Sequence, residues 1–218
     1  MAEPRSVVAR SPIAPSPPEA VIAGWVVSGR RSAAAQTLTD QTPLTKVAVK
    51  ADWDGPMADV LGVRFGRSAR RSFDVEAAAG QVLLTGSGPG EWMALAAPGM
   101  AATVVDWLEK SAAGADELVT VVDLTHGRAL VRLTGESSRD LLAKECAIEL
   151  DDATFPDTAA LRSAVAGVAT DLVRDDQRGV PSYLLHCERS SGQYLFDSLL
   201  DAGREFGTET DGFVPPGI

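Results

Sequence analysis

The chain predicts an α+β fold in two tandem half-units, on three observations. Short runs of period-two hydrophobicity recur from residue 46 onward, apolar stripes at helical spacing separate them, and both halves present these elements in one order. Lys46–Trp53 alternates as a strand, and Met57–Leu61 supplies a short helix. Gln81–Thr85 and Trp92–Leu95 are strands on either side of the glycine-rich turn Gly86–Gly90. Met100, Val104, Trp107 and Leu108 then fall at i, i+4, i+7 and i+8, one face of a helix. Leu118–Leu124, almost all apolar or β-branched, closes the half as a strand that reads as buried on both faces.

The second half begins at the corner Thr125–Gly127. Ala129, Val131 and Leu133 alternate with Leu130, Arg132 and Thr134, which places Arg132 and Thr134 on the side of the strand away from the core. Gly135 ends that strand, and Ser137, three residues before Asp140, has capping-box-like spacing for a helix over Ser138–Lys144. Leu161–Arg174 is one bent strand or two short ones broken near Gly167, and Tyr183–Cys187 is another. A last helix, capped by Ser190 or Ser191, carries Leu195, Leu199, Ala202 and Phe206 as far as Gly207. Each half thus runs strand, helix, strand, strand, helix, with a closing strand clear only in the first. That is the split βαβ order of ferredoxin-like units, and two such units sharing a core is the expected architecture. Residues 1–43 form a proline-rich arm without sustained periodicity; residues 44–210 form the domain, in half-units of about 44–124 and 125–210.

A chain of 218 residues buries roughly 70% of its unfolded surface and needs no disulfide or metal for stability. A formal charge of -10 argues against nucleic acid or an anionic membrane as partner. Two cysteines, Cys146 and Cys187, are too few for a disulfide framework and fit a reducing compartment. With no long apolar run and no signal-peptide order at the N-terminus, the expected location is the cytoplasm.

Candidate chemistry is sparse. GSGPG at Gly86–Gly90 lacks the lysine of a phosphate loop, has Glu91 beside it and leads into a strand, so it reads as a hairpin turn. His126 lies near Asp123 at the corner, where a histidine most often satisfies turn hydrogen bonds. His186 and Cys187 adjoin in a strand and so face opposite ways, which argues against a shared zinc. Cys146 follows Lys144 without other signs of a reactive thiol, and Asp151, Asp152 and Asp157 lack calcium-loop spacing. The residues alone point to a scaffold or subunit with no catalytic, cofactor-binding or metal-ligating side chain.

The corner DLTHGRALVRLTGESSRDLL, residues 123–142, resembles a signature of the aminomethyltransferase (glycine-cleavage T-protein) folate-binding superfamily, in which an acid, a Ser or Thr and a Gly precede a strand and a helix start. More closely, the chain is similar to the gamma subunits of heterotetrameric sarcosine oxidases. Arg10-Ser11-Pro12-Ile13 is similar to their RSPL start, Gly88–Trp92 to GPDEW, Leu142–Cys146 to LAKGC, and Phe155-Pro156 to the FP that follows. Gly167–Ala169 and the helix Tyr194–Phe206 keep the order, so the landmarks run from Arg10 to Gly207. Gly90 and Glu145 depart from the pattern.

The resemblance implies the fold of the N-terminal part of T-protein-like domains. It also implies a noncatalytic subunit of an oxidoreductase that oxidatively demethylates sarcosine, or a related N-methyl amino acid, to glycine, with hydrogen peroxide and 5,10-methylenetetrahydrofolate as further products. FAD, FMN, NAD and tetrahydrofolate are then expected in the alpha, beta and delta partners, with alpha the main contact. The apolar residues of the arm suggest docking on a partner, and Arg10, Ile13 and Trp25 are the contact candidates; Trp53 and Trp92 are either contacts or plain core. The alternative is a stand-alone folate-binding one-carbon transfer protein of the T-protein type, which would need a pterin pocket and a C-terminal barrel domain. Iron-sulfur-repair relatives carry K-G-C followed closely by G-Q-E, whereas KEC here leads into AIELDD.

Overall fold

The structure, a computed structural model, describes residues 7–75 and 78–218; residues 1–6 of the arm lie outside it. In chain order the elements are β1 (Ala9–Arg10), β2 (Glu19–Ile22), β3 (Trp25–Ser28), β4 (Thr37–Asp40), β5 (Thr45–Lys50), α1 (Pro56–Leu61), β6 (Ser68–Val75), β7 (Ala78–Gly88), β8 (Glu91–Ala96), α2 (Ala101–Ala112) and β9 (Thr120–Asp123). There follow β10 (Arg128–Thr134), α3 (Ser138–Glu145), β11 (Ala160–Val165), β12 (Val168–Arg174), β13 (Ser182–Glu188), α4 (Gly192–Ala202) and β14 (Glu209–Asp211).

Side-chain alternation explains the layering. From β7, Val82 and Leu84 pack with Val47, Val49, Met57, Leu61, Val104 and Leu108, a core between the first sheet and helices α1 and α2. From β10, Val131 and Leu133 pack with Leu141, Leu142, Leu195 and Leu199, a core between the second sheet and α3 and α4. The residues between them in sequence turn the other way: Leu83, Met93 and Leu95 of the first sheet meet Leu130, Val173 and Leu184 of the second in a third core. The result is helices, sheet, sheet, helices, the α+β architecture of two split βαβ units sharing a core.

The first sheet has the order β6-β7-β8-β5-β9 and the second β11-β12-β13-β10-β4-β14. Four strands of each occupy matching places, and the matching explains why the second half has no obvious closing strand in sequence. Where β9 pairs antiparallel with β5, the place beside β10 is taken by β4, and β14 joins β4 in parallel. Residues 37–40, read as part of the arm, therefore complete the second sheet. Only Leu38 of Thr-Leu-Thr-Asp is large and apolar, so no alternation marks it.

Other differences have equally local causes. The run from Leu118 is not buried on both faces: β9 is an edge strand, Leu118 is 88% exposed and Val122 is also exposed. β6, with sequence SARRSFDV, carries charge as edge strands do and shows no apolar period. Ser137 stands at the N-cap of α3 but makes no side-chain cap; instead the Ser138 hydroxyl accepts a hydrogen bond from Gln36 Nε2 at 2.8 Å. The first strand stops at Lys50, leaving Trp53 in a turn, 63% exposed, whereas Trp92 is core and donates from Nε1 to Val63 O at 2.7 Å.

Candidate functional site

Between the two sheets the apolar core gives way to a polar seam around a cavity of about 170 Å³. Its lining includes Lys50, Thr85, Ser87, Glu91, Arg128, Arg162 and Asp171, with Ala48, Met93 and Leu124 among the apolar walls. The hairpin after β7 positions one wall. Pro89 and Gly90 make a two-residue turn, Gly90 has φ +67°, and a Cβ there would lie 2.5 Å from Ala51 O. Just before the turn the pairing of β7 with β8 shifts between Thr85 and Gly88, a bulge that inserts one residue and leaves both Thr85 and Ser87 on the cavity.

Charge crosses the seam as a chain. Lys50 Nζ meets Glu91 Oε1 at 2.8 Å, and Arg162 Nη1 meets Glu91 Oε2 at 2.6 Å. Arg162 Nε then meets Asp171 Oδ1 at 2.6 Å. These hydrogen bonds, from Lys50 first and Arg162 second, hold the Glu91 carboxyl below its usual range. Hydrogen bonding to Asp171 likewise raises the Arg162 guanidinium. His186 Nε2 lies 3.2 Å from Asp171 Oδ2 without the alignment of a hydrogen bond, so neither ring nitrogen has a partner among the described residues. Burial pushes the His186 imidazole down to about 4, keeping it neutral near pH 7.

A second polar link joins the sheets. Asp175 receives Arg132 Nη2 at 2.8 Å and Arg70 Nη1 at 2.7 Å. Burial raises the Asp175 carboxyl, but the two guanidinium groups outweigh it and the net direction is down. Arg132 therefore does face away from the helix-side core, as the alternation predicts, yet it is buried because the other sheet covers it. On the same inner face Lys46 donates to Thr42 O and Leu44 O, both at 2.7 Å, and burial pushes its ammonium down to about 7.

The residues singled out in the sequence fall elsewhere. Of GSGPG, Gly86–Gly88 end β7 and Pro89-Gly90 make the hairpin turn, with no helix after it. His126 is exposed and stacks on Trp25 with ring centroids 4.8 Å apart. His186 and Cys187 do face opposite ways, His186 into the seam and Cys187 into the helix-side core, where burial raises its thiol to about 11. Cys146 is buried near the Ser163 hydroxyl. Ile13 and Trp25 are spent inside this chain, 1% and 5% exposed, while Arg10 stays at the surface. The arm thus docks on its own domain, because Trp25 and Val27 fill the edge of the core between the sheets. Trp53 and Phe65 remain uncovered beside Pro89, around an open groove of about 710 Å³ whose Arg64 and Asp54 pair with each other at 3.3 Å. Among the described residues no helix is long and apolar enough to cross a membrane.

The model of the GCVT N-terminal domain matches residues 79–214. No curated protein matches the sequence. Among solved structures, a chain of the heterotetrameric sarcosine oxidase from Corynebacterium sp. U-96, in complex with pyrrole 2-carboxylate, is 22% identical with a TM-score of 0.64, over 82% of this chain and 89% of that one. The glycine cleavage system aminomethyltransferase T from Bartonella henselae is 21% identical with a TM-score of 0.65, over 89% of this chain but 55% of that one, so the present chain spans about half its length.

Proposed function

Given that the chain belongs to the GCVT N-terminal domain family, we propose that it is the noncatalytic gamma subunit of a heterotetrameric sarcosine oxidase, which demethylates sarcosine with formation of peroxide and 5,10-methylenetetrahydrofolate. The observation that carries this is one of extent. The fold accounts for 89% of a sarcosine oxidase chain but only 55% of the aminomethyltransferase. The ordered landmarks from Arg10 to Gly207 support the same reading.

In this proposal FAD, FMN, NAD and tetrahydrofolate belong to the alpha, beta and delta chains. The seam cavity, at about 170 Å³, is smaller than the roughly 300–1,000 Å³ of sites for ligands of that size. The seam's charges are also engaged with one another rather than held ready for chemistry, Arg162 binding both Glu91 and Asp171. Trp53 and Phe65, uncovered aromatic side chains, are the natural place for the alpha partner.

Co-expression with candidate alpha, beta and delta chains tests the assignment. A complex that retains this chain and releases peroxide on addition of sarcosine is the expected result. Tight tetrahydrofolate binding or one-carbon transfer by the isolated polypeptide would instead establish the stand-alone T-protein type.

A further inference from the structure

The two main sheets end in the edge strands β6, β9, β11 and β14, and β9 differs from the rest. β6 carries Arg70 and Arg71, β11 carries Arg162, and β14 is tied to the arm by Ser32 N donating to Asp211 Oδ1 at 2.9 Å. β9, Thr-Val-Val-Asp, has no lysine, proline or bulge, the devices that keep an edge from pairing further. Its ladder with β5 fixes which backbone groups stay open. Leu124 N donates to Lys46 O at 2.8 Å, so Thr120 and Val122 also turn their backbone groups toward β5. Val119, Val121 and Asp123 turn theirs outward, where no backbone partner meets them among the described residues.

The side chains of this edge are open too. Val119 and Val121 pack on the core under α2, but Leu118 and Val122, on the opposite face, are 88% and 43% exposed. Apolar side chains beside a row of unpaired amides are what an added strand covers. Charge says what kind of strand. Asp116, Glu117 and Asp123 flank the valines, and none of them makes an ion pair among the described residues. No lysine or arginine lies between Lys110 and Arg128, which pair with Asp106 and Glu188. Glu117 also accepts from Asp52 N at 3.0 Å, which joins this edge to the loop carrying the exposed Trp53.

We propose that β9 is the docking edge for an extended partner segment, apolar at its centre and basic at its ends, which adds a strand to the first sheet. A second copy fits poorly, because two β9 edges would bring acid to acid on chains that each carry a formal charge of -10. The inference rests on the edge itself and is independent of which complex the chain joins.

Titration of the full chain with acetyl-Lys-Val-Thr-Val-Thr-Val-Lys-amide, and with the same peptide carrying Glu at both ends, tests it. Saturable binding of the basic peptide is expected, at least about tenfold tighter than that of the acidic one, with slowed amide exchange at Val119, Val121 and Asp123. Val121→Pro removes the central outward donor without touching the β5 ladder, so the chain should stay folded by circular dichroism and lose at least about tenfold in affinity. Should Val121→Pro not fold, Val122→Lys, which gives this exposed position the protective charge of other edges, carries the test with the same expected loss. The proposal fails if the basic peptide shows no saturable binding, if both peptides bind alike, or if the folded variants keep wild-type affinity. It fails equally if sedimentation shows the chain dimerising alone and Val121→Pro or Val122→Lys restoring the monomer, since the occupant would then be a second copy.

Discussion

Replacing Asp175 by alanine isolates what the second polar link contributes. The Asp175 carboxylate is nearly inaccessible and receives Arg132 at 2.8 Å, Arg70 at 2.7 Å and Gln177 Nε2 at 2.9 Å. Arg70 is 42% exposed, so its share is that of a surface pair, about 0–1 kcal/mol. Arg132 is different. Its side chain is only 7% exposed, and without the carboxylate it keeps, among the described residues, just the Asp175 carbonyl at 3.2 Å and the Ser182 hydroxyl at 3.0 Å. Leaving a buried charge without its counterion costs about 3–5 kcal/mol. The lower end applies here because Arg132 retains those two acceptors. A loss of about 3 kcal/mol lowers the melting temperature of a chain this size by roughly 6–12 °C. Urea unfolding measures the difference, and Arg132→Met combined with Asp175→Leu should recover most of it, since an apolar pair of similar volume leaves no fully buried charge without its counterion, and Arg70 is 42% exposed. The folded Asp175 carboxyl lies below its ordinary value, so the stabilisation is full above about pH 4 and fades as the pH falls through the folded pKa. A single-variant loss under about 1 kcal/mol, or a double variant as unstable as the sum of the singles, would refute this account of the link.

Three further outcomes follow from other parts of the molecule. Lys46, depressed to about 7 by burial against the pull of Asp40 and Asp123, binds fewer protons folded than unfolded between pH 7 and about 10.4. The unfolding free energy of the wild type minus that of Lys46→Met should therefore rise across this range, and a flat or falling difference in denaturant titrations would contradict the burial. Gly90→Ala forces a side chain onto φ +67° and against Ala51 O, so calorimetry should show a loss of about 1–2 kcal/mol or more. Trp53→Ser should change the stability of the chain by no more than about 0.5 kcal/mol, because the side chain covers no core, yet weaken assembly with the partner chains at least about tenfold in a pull-down titration; full retention of assembly would move the contact face elsewhere.

How much of this was legible follows from the range of the interactions involved. Alternation is a local signal, so Leu130, Val131 and their neighbours revealed both faces of β10, and His186 and Cys187 were rightly separated. The helices, each with one apolar stripe over a single core, were equally plain. β4 was not, because four residues with one buried leucine carry no period, and its pairing with β10 joins positions more than ninety residues apart. Trp25 misled for a related reason: an arm without local periodicity reads as an arm in search of a partner, when the open edge of its own inter-sheet core is what it fills. The site was least visible of all. Arg162 finds Glu91 across 71 residues of sequence and Arg132 finds Asp175 across 43. No spacing rule connects such residues, because stacking of the two sheets brings them together. Arg132 on an outward-facing strand position was the one trace available: in an antiparallel sheet covered on its second face, a charged residue at such a position must find a buried counterion, and searching the other strands for one leads to the seam.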